Sequence, residues 1–148
     1  MRPTPDWMDP KVYERNKEPP HTRTIPQPLN PITCEATDSP FYMTLNGDWR
    51  FKWSPGPDEA PKGFQHDAFD VSQWDHIKVP SNWQLQGYGV PRYYDMGYPF
   101  PVDPPRVPWE DNPVGCYRHS FTVPENWGVR EVFLVFDGVD SAFYVWVN

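Results

Sequence analysis

The clearest periodic stretch is Leu45–Trp53, where Trp49, Phe51 and Trp53 alternate with Asp48, Arg50 and Lys52. Side chains on a strand point alternately to its two faces, so this pattern predicts a strand with one buried and one wet face. Asn46-Gly47, just ahead, is a turn signal. A second alternation runs from Cys116 to Val123, with Tyr117, His119, Phe121 and Val123 on one side. Ile77 to Val79 is a shorter strand, entered through a turn that is expected to pack Trp74 inward. Val132-Phe-Leu-Val-Phe136 is almost continuously apolar, as a strand covered on both faces would be. Asp137-Gly-Val-Asp then turns the chain into a further expected strand, Ser141 to Val147. Several short strands separated by turns predict an all-β, antiparallel β-sandwich.

Proline breaks the pattern in two places. From Pro3 to Pro40 it recurs so often that residues 1–40 are expected to form an extended arm, with one short helical turn near Asp6. Trp7 and Tyr13 are the residues that would dock this arm. The second place is the stretch Val79 to Val102. Pro80, Pro91, Pro99 and Pro101 fix φ and remove backbone donors, so it is neither a helix nor a central strand. Here Trp83, Tyr88, Tyr93, Tyr94 and Tyr98 are interleaved with Asn82, Gln84, Gln86, Arg92 and Asp95. Aromatic faces beside polar tips suit a sugar, which has apolar C–H faces and many hydroxyls. The same composition also suits a stiff loop whose rings only cover the core.

Composition narrows the classes. A chain of 148 residues is one domain by length. Its aromatic share of 17% supplies large rings for a core, while 21 prolines argue against an all-helical chain. A formal charge of −7 without basic runs disfavours nucleic acid and anionic membrane surfaces as partners. Cys34 and Cys116 lack metal-ligand spacing and read as two free thiols. No signal-peptide or membrane-spanning stretch is visible, so a cytoplasmic location is expected. The four histidines show no zinc spacing, and no nucleophile elbow or phosphate loop occurs. Glu110-Asp111 and Asp58-Glu59 read as solvated turn charges, not as the pair of carboxyls about 5–5.5 Å apart that a retaining glycosidase needs.

Five segments together carry a resemblance. Leu45-Asn-Gly-Asp-Trp-Arg-Phe51, Pro80-Ser-Asn-Trp-Gln-Leu-Gln-Gly-Tyr88 and Tyr93-Tyr-Asp-Met-Gly-Tyr-Pro-Phe100 come first. Asp111-Asn-Pro-Val-Gly-Cys-Tyr-Arg118 and the stretch from Phe136 to Asn148 follow. In order and spacing they resemble the N-terminal sugar-binding domain of the large β-galactosidases of glycoside hydrolase family 2. The resemblance implies a jelly-roll-type, galactose-binding-like β-sandwich over residues 41–148, incomplete at its C-terminus. It also implies that the arm, residues 1–40, joins the subunit interface of a homotetramer. The implied activity is retaining hydrolysis of terminal β-D-galactosides such as lactose. Its two catalytic glutamates are expected in a barrel downstream, leaving no catalytic residue here.

Site residues follow residue by residue. Asp95 falls where the family has an asparagine that hydrogen-bonds galactose hydroxyls, with Tyr93 and Met96 beside it. Asp6, Asp9 and the carbonyl of Val12 fall at part of a structural Mg²⁺ site, where Asp9 again replaces an asparagine. A Na⁺ is implied for the full-length enzyme, with no ligand identified here. Read from the residues alone, Asp95 also suits a turn cap and Asp6 a helix N-cap. The alternatives in view are another family 2 activity, β-glucuronidase or β-mannosidase, and a non-catalytic carbohydrate-binding module.

Overall fold

The computed structural model describes residues 4–22, 24–27, 38–93 and 95–148. Its centre is strand β1, Gly47–Ser54. Strands β2, Asp75–Val79, and β3, Val114–Arg118, flank it in the order β2-β1-β3. Both pairings are antiparallel, with Trp49 opposite Ile77 and Phe51 opposite Tyr117. The all-β, antiparallel expectation holds, and the sheet is open.

Strand alternation divides the sheet as the sequence predicts. One face carries Trp49, Phe51 and Trp53, joined across the ladder by Ile77 and Tyr117. Phe51 and Ile77 are almost fully buried there. Burying such side chains contributes roughly 1.5–3 kcal/mol each, so this face is the core. The indole N–H of Trp49 donates to the Leu45 carbonyl at 2.7 Å, and its ring stacks on His119 at 4.8 Å. His119 is thus a packed surface histidine.

The opposite face is organised by two arginines. Arg50 and Arg118 are direct cross-strand neighbours, an arrangement that like charges would normally disfavour. Backbone carbonyls offset the charge. Arg118 donates to the carbonyls of Phe64, His66, Asp67 and Phe69, and Arg50 to those of Ser72 and Trp74. The loop between β1 and β2 is therefore drawn onto this face, and Trp74 is buried with Phe64 and Phe69 around it. Cys116 lies on this face as a buried free thiol; Cys34 falls outside the described residues.

Three expected strands need correction. The strand expected over Cys116–Val123 ends at Arg118, and Phe121 and Val123 are exposed. Neither Val132–Phe136 nor Ser141–Val147 forms a strand; residues 128–148 are exposed throughout. A continuous apolar run is a strand only when both faces and an edge partner are supplied. Among the described residues no layer covers these two segments. Their rings make isolated contacts, Phe136 with Phe143, Tyr144 with Trp146, and Trp146 with Phe64.

The arm does carry one short turn, a 3-10 helix at Asp6–Met8. Pro5 occupies the N-cap position, so Asp6 is its first residue and not its cap. Trp7 docks on Trp109 at 5.4 Å, whereas Tyr13 is exposed. No helix among the described residues is long and apolar enough to cross a membrane.

Candidate functional site

The aromatic loop begins where β2 ends. Its first part is a 3-10 helix, Trp83–Gln86, stopped by Gly87 in the left-handed region at φ 92°. A side chain at that φ would be strained, which is why the stop is a glycine. The Tyr88 N–H returns to the Trp83 carbonyl at 3.1 Å and closes the turn. This geometry aims Trp83 and Tyr88 down onto the sheet. Their rings lie 6.2 and 4.8 Å from the ring of Phe51. Trp83 needs room, and Gly115 on β3 supplies it: a Cβ there would sit 2.5 Å from the indole. The backbone at Gly89 then lies against the Trp53 ring.

Two of the loop's hydrogen-bonding side chains have structural partners. Gln86 accepts the Lys78 N–H at 2.9 Å and donates to the Lys78 carbonyl at 3.0 Å. Its amide pairs with the outer edge of β2 as a neighbouring strand would, which blunts that edge. Arg92 binds the Asp111 carboxylate, with Nη2 2.6 Å from Oδ2. No sequence signal marks the Gln86 contact, because it depends on where the turn places an amide. The only hint of the Arg92 contact is that Arg92 is the single cation between Val79 and Val102.

Beyond Arg92 the chain leaves the sheet. Tyr93 is 89% and Met96 88% exposed, and Asp95 is exposed between them. Tyr98 is also exposed, and Gly97 has a φ of 109°. The three residues expected to contact sugar are therefore all exposed. Their neighbour Tyr94 falls outside the described residues.

The second candidate site lies on the arm. Asp6, Asp9 and Val12 line one cavity of about 370 Å³, together with Tyr13, Pro105 and Ser141. Arg15 engages both Asp6 oxygens, Nη2 to Oδ1 and Nε to Oδ2 at 3.0 Å each. Oδ1 of Asp9 accepts the Lys11 N–H at 3.0 Å. Two carboxylates and a carbonyl on consecutive turns are hard oxygen donors, which fit Mg²⁺. Both Asp6 oxygens are paired with the Arg15 guanidinium, so a metal bound there would have to displace Arg15.

Burial tunes several groups in the loop and on the two faces of the sheet. The hydroxyl of Tyr88 is pushed up by desolvation and, less strongly, by its hydrogen bond to Asp75. Burial also raises Tyr117, and it pushes the Cys116 thiol up to about 11. Cys116 is therefore an inert neutral thiol at neutral pH, not a nucleophile.

Known proteins place the chain. Residues 42–148 match the family model of the glycosyl hydrolases family 2 sugar binding domain. A protein named beta-galactosidase from Priestia megaterium is 36% identical over 151 residues, covering 97% of this chain and 15% of the relative. Beta-galactosidases from Psychromonas ingrahamii and Vibrio cholerae are 41% and 40% identical, over 97% of this chain and 14% of each relative. The chain thus spans about a seventh of the length of these curated relatives. A match over most of the chain, on the sheet and loop described above, shows that it belongs to glycoside hydrolase family 2, as a sugar-binding domain.

Proposed function

We propose that this chain is the amino-terminal part of a β-galactosidase, and that its projecting loop forms one wall of the galactose pocket. The observation that carries this reading is the pairing of a chain-wide likeness to proteins named beta-galactosidase with a loop that presents Tyr93, Asp95 and Met96 to solvent. The complete enzyme hydrolyses terminal β-D-galactosides such as lactose with retention, through a glycosyl-enzyme intermediate. Its two catalytic carboxyls lie in a barrel beyond residue 148, so the chain alone is inactive. Asp95 accepts hydrogen bonds from sugar hydroxyls; unlike the family's asparagine it cannot donate, but charge-assisted bonds are the stronger kind.

Asp6, Asp9 and the Val12 carbonyl would hold a Mg²⁺, with further donors from downstream. The ion would neutralise the two carboxylates and fix the arm. Its residues, 1–40, then join a homotetramer interface in the cytoplasm.

The test is kinetic. The full-length protein is expected to hydrolyse a nitrophenyl β-galactoside, and residues 1–148 alone are not. Asp95→Ala in the full-length protein removes a hydrogen bond to a charged group, worth roughly 1.5–3 kcal/mol. It is expected to lower kcat/KM by roughly 10- to 150-fold. Asp95→Asn, which restores the family's residue, is expected to be mild. An Asp95→Ala enzyme with unchanged kcat/KM and intact assembly would reduce Asp95 to a turn residue.

A further inference from the structure

We propose that the Arg92–Asp111 ion pair is the tether that sets where Tyr93, Asp95 and Met96 stand, making both residues positioning residues of the sugar site. The inference rests on the reading of Asp95 given above. Its geometry is specific. One guanidinium nitrogen of Arg92 reaches both carboxylate oxygens of Asp111, at 2.5 and 2.6 Å, across 19 residues of chain. Arg92 lies three residues after Gly89, whose backbone rests on Trp53, and immediately before the exposed Tyr93. Asp111 lies three residues before β3, the strand whose Gly115 seats Trp83. The pair therefore joins the point where the loop leaves the sheet to the foot of the strand that anchors its root.

Exposure says what kind of role this is. The Arg92 and Asp111 side chains are 38% and 63% exposed. Exposed pairs add little to global stability, because water and salt screen them and two side chains lose freedom. The same pair at the base of a projecting turn restricts where that turn can point. A fixed acceptor loses less freedom on binding sugar than a wandering one, so the effect belongs in substrate affinity. Asp111 has a φ of 56°, a left-handed conformation that asparagine also tolerates. Asp111→Asn therefore removes the charge and keeps the turn. It also leaves every other interaction of Arg92 in place.

The experiment is steady-state kinetics of the full-length protein with a nitrophenyl β-galactoside, at low and high choline chloride. Wild type, Arg92→Met, Asp111→Asn, the double variant and Asp95→Ala are compared. Each tether variant is expected to raise KM about two- to fivefold, the scale of an exposed pair, with kcat and melting temperature unmoved. The double variant is expected to be no worse than either single one, because both remove one interaction. High salt is expected to raise the wild-type KM toward that of the variants and to leave theirs flat. An unchanged KM for Asp111→Asn, or additive single effects, overturns the tether; if Asp95→Ala is then still crippled, the sugar-pocket reading survives. An Asp95→Ala enzyme of full activity overturns both.

Discussion

Two stretches of one loop have similar composition and different fates. From Trp83 to Gly89 the loop is rooted: both aromatic rings lie on Phe51, and the Gln86 amide pairs with the β2 edge. At Tyr93, Met96 and Tyr98 the side chains are at least 70% exposed. Residue type does not separate the two, since each has aromatic rings and hydrogen-bonding side chains. What separates them is the surface opposite. A ring is buried where a facing strand leaves a hole of its size, and Gly115 leaves that hole beneath Trp83. Past Arg92 no strand lies beneath the chain among the described residues, so rings and carboxylate remain available to a ligand. A rigid root beneath an open tip is how loops come to hold binding residues.

The largest effect expected from this contrast is at Phe51, the ring on which the root rests. It is 0% exposed and packs against Trp83, Tyr88 and Tyr117. Truncating it removes apolar contact and leaves a cavity, so Phe51→Ala is expected to cost about 3–5 kcal/mol. Asp95→Ala, on the tip, is expected to stay within about 0.5 kcal/mol of wild type in the same denaturant titration. The contrast breaks if the two variants lose similar stability.

A sharper test of the root is Gly115→Ala. The added methyl would meet the Trp83 ring at 2.5 Å and Phe51 at 2.8 Å, closer than a Cβ can sit. Either the loop lifts or the strand shifts, and such overpacking typically costs about 1–3 kcal/mol. Trp83→Leu in the same chain is expected to recover part of the loss, because the clash is with the ring. No recovery would mean that the strand itself, and not the seat for Trp83, is what Gly115 provides.

Much of this was legible in the sequence, for identifiable reasons. The alternation in β1 fixes its buried face locally, since side-chain direction on a strand needs no partner to define it. Val132–Phe136 has an equally strong apolar signal, yet it is not a strand, because a ladder needs a neighbouring edge that periodicity cannot supply. The projecting position of Asp95 follows from prolines that keep the loop out of regular structure. The engagement of Gln86 and Arg92 does not, since both contacts join distant residues through turns set by Gly87 and Asp111. On the arm, only the resemblance grouped Asp6, Asp9 and Val12, which the structure puts on one cavity, and nothing in the sequence announced Arg15 on the Asp6 carboxylate.

The smallest expected effect concerns protons beneath the root. Tyr88 and Tyr117 lie on the near face of the sheet and Cys116 on the far face, and all three are raised above their ordinary values chiefly by burial. A group with a raised folded pKa adds stability that is fully present below its unfolded pKa and lost as pH rises through its folded one. The reason is that the unfolded chain gives up the proton first, so unfolding releases protons and alkali favours it. For Cys116 the window opens near the ordinary thiol value of about 8.5. It closes at about 11. For Tyr88, ionisation would also set a phenolate beside the Asp75 carboxylate to which it is hydrogen-bonded. The melting temperature of the full-length protein's sugar-binding domain is therefore expected to fall as pH rises from neutral to about 10, inside that window. Cys116→Ala removes one of the three protons and is expected to flatten the fall without abolishing it. The measurement is a series of thermal melts followed by near-ultraviolet circular dichroism, which reports the packing of the aromatic side chains. A wild-type midpoint that stays level to about pH 10 would mean that solvent reaches these groups freely in the folded chain.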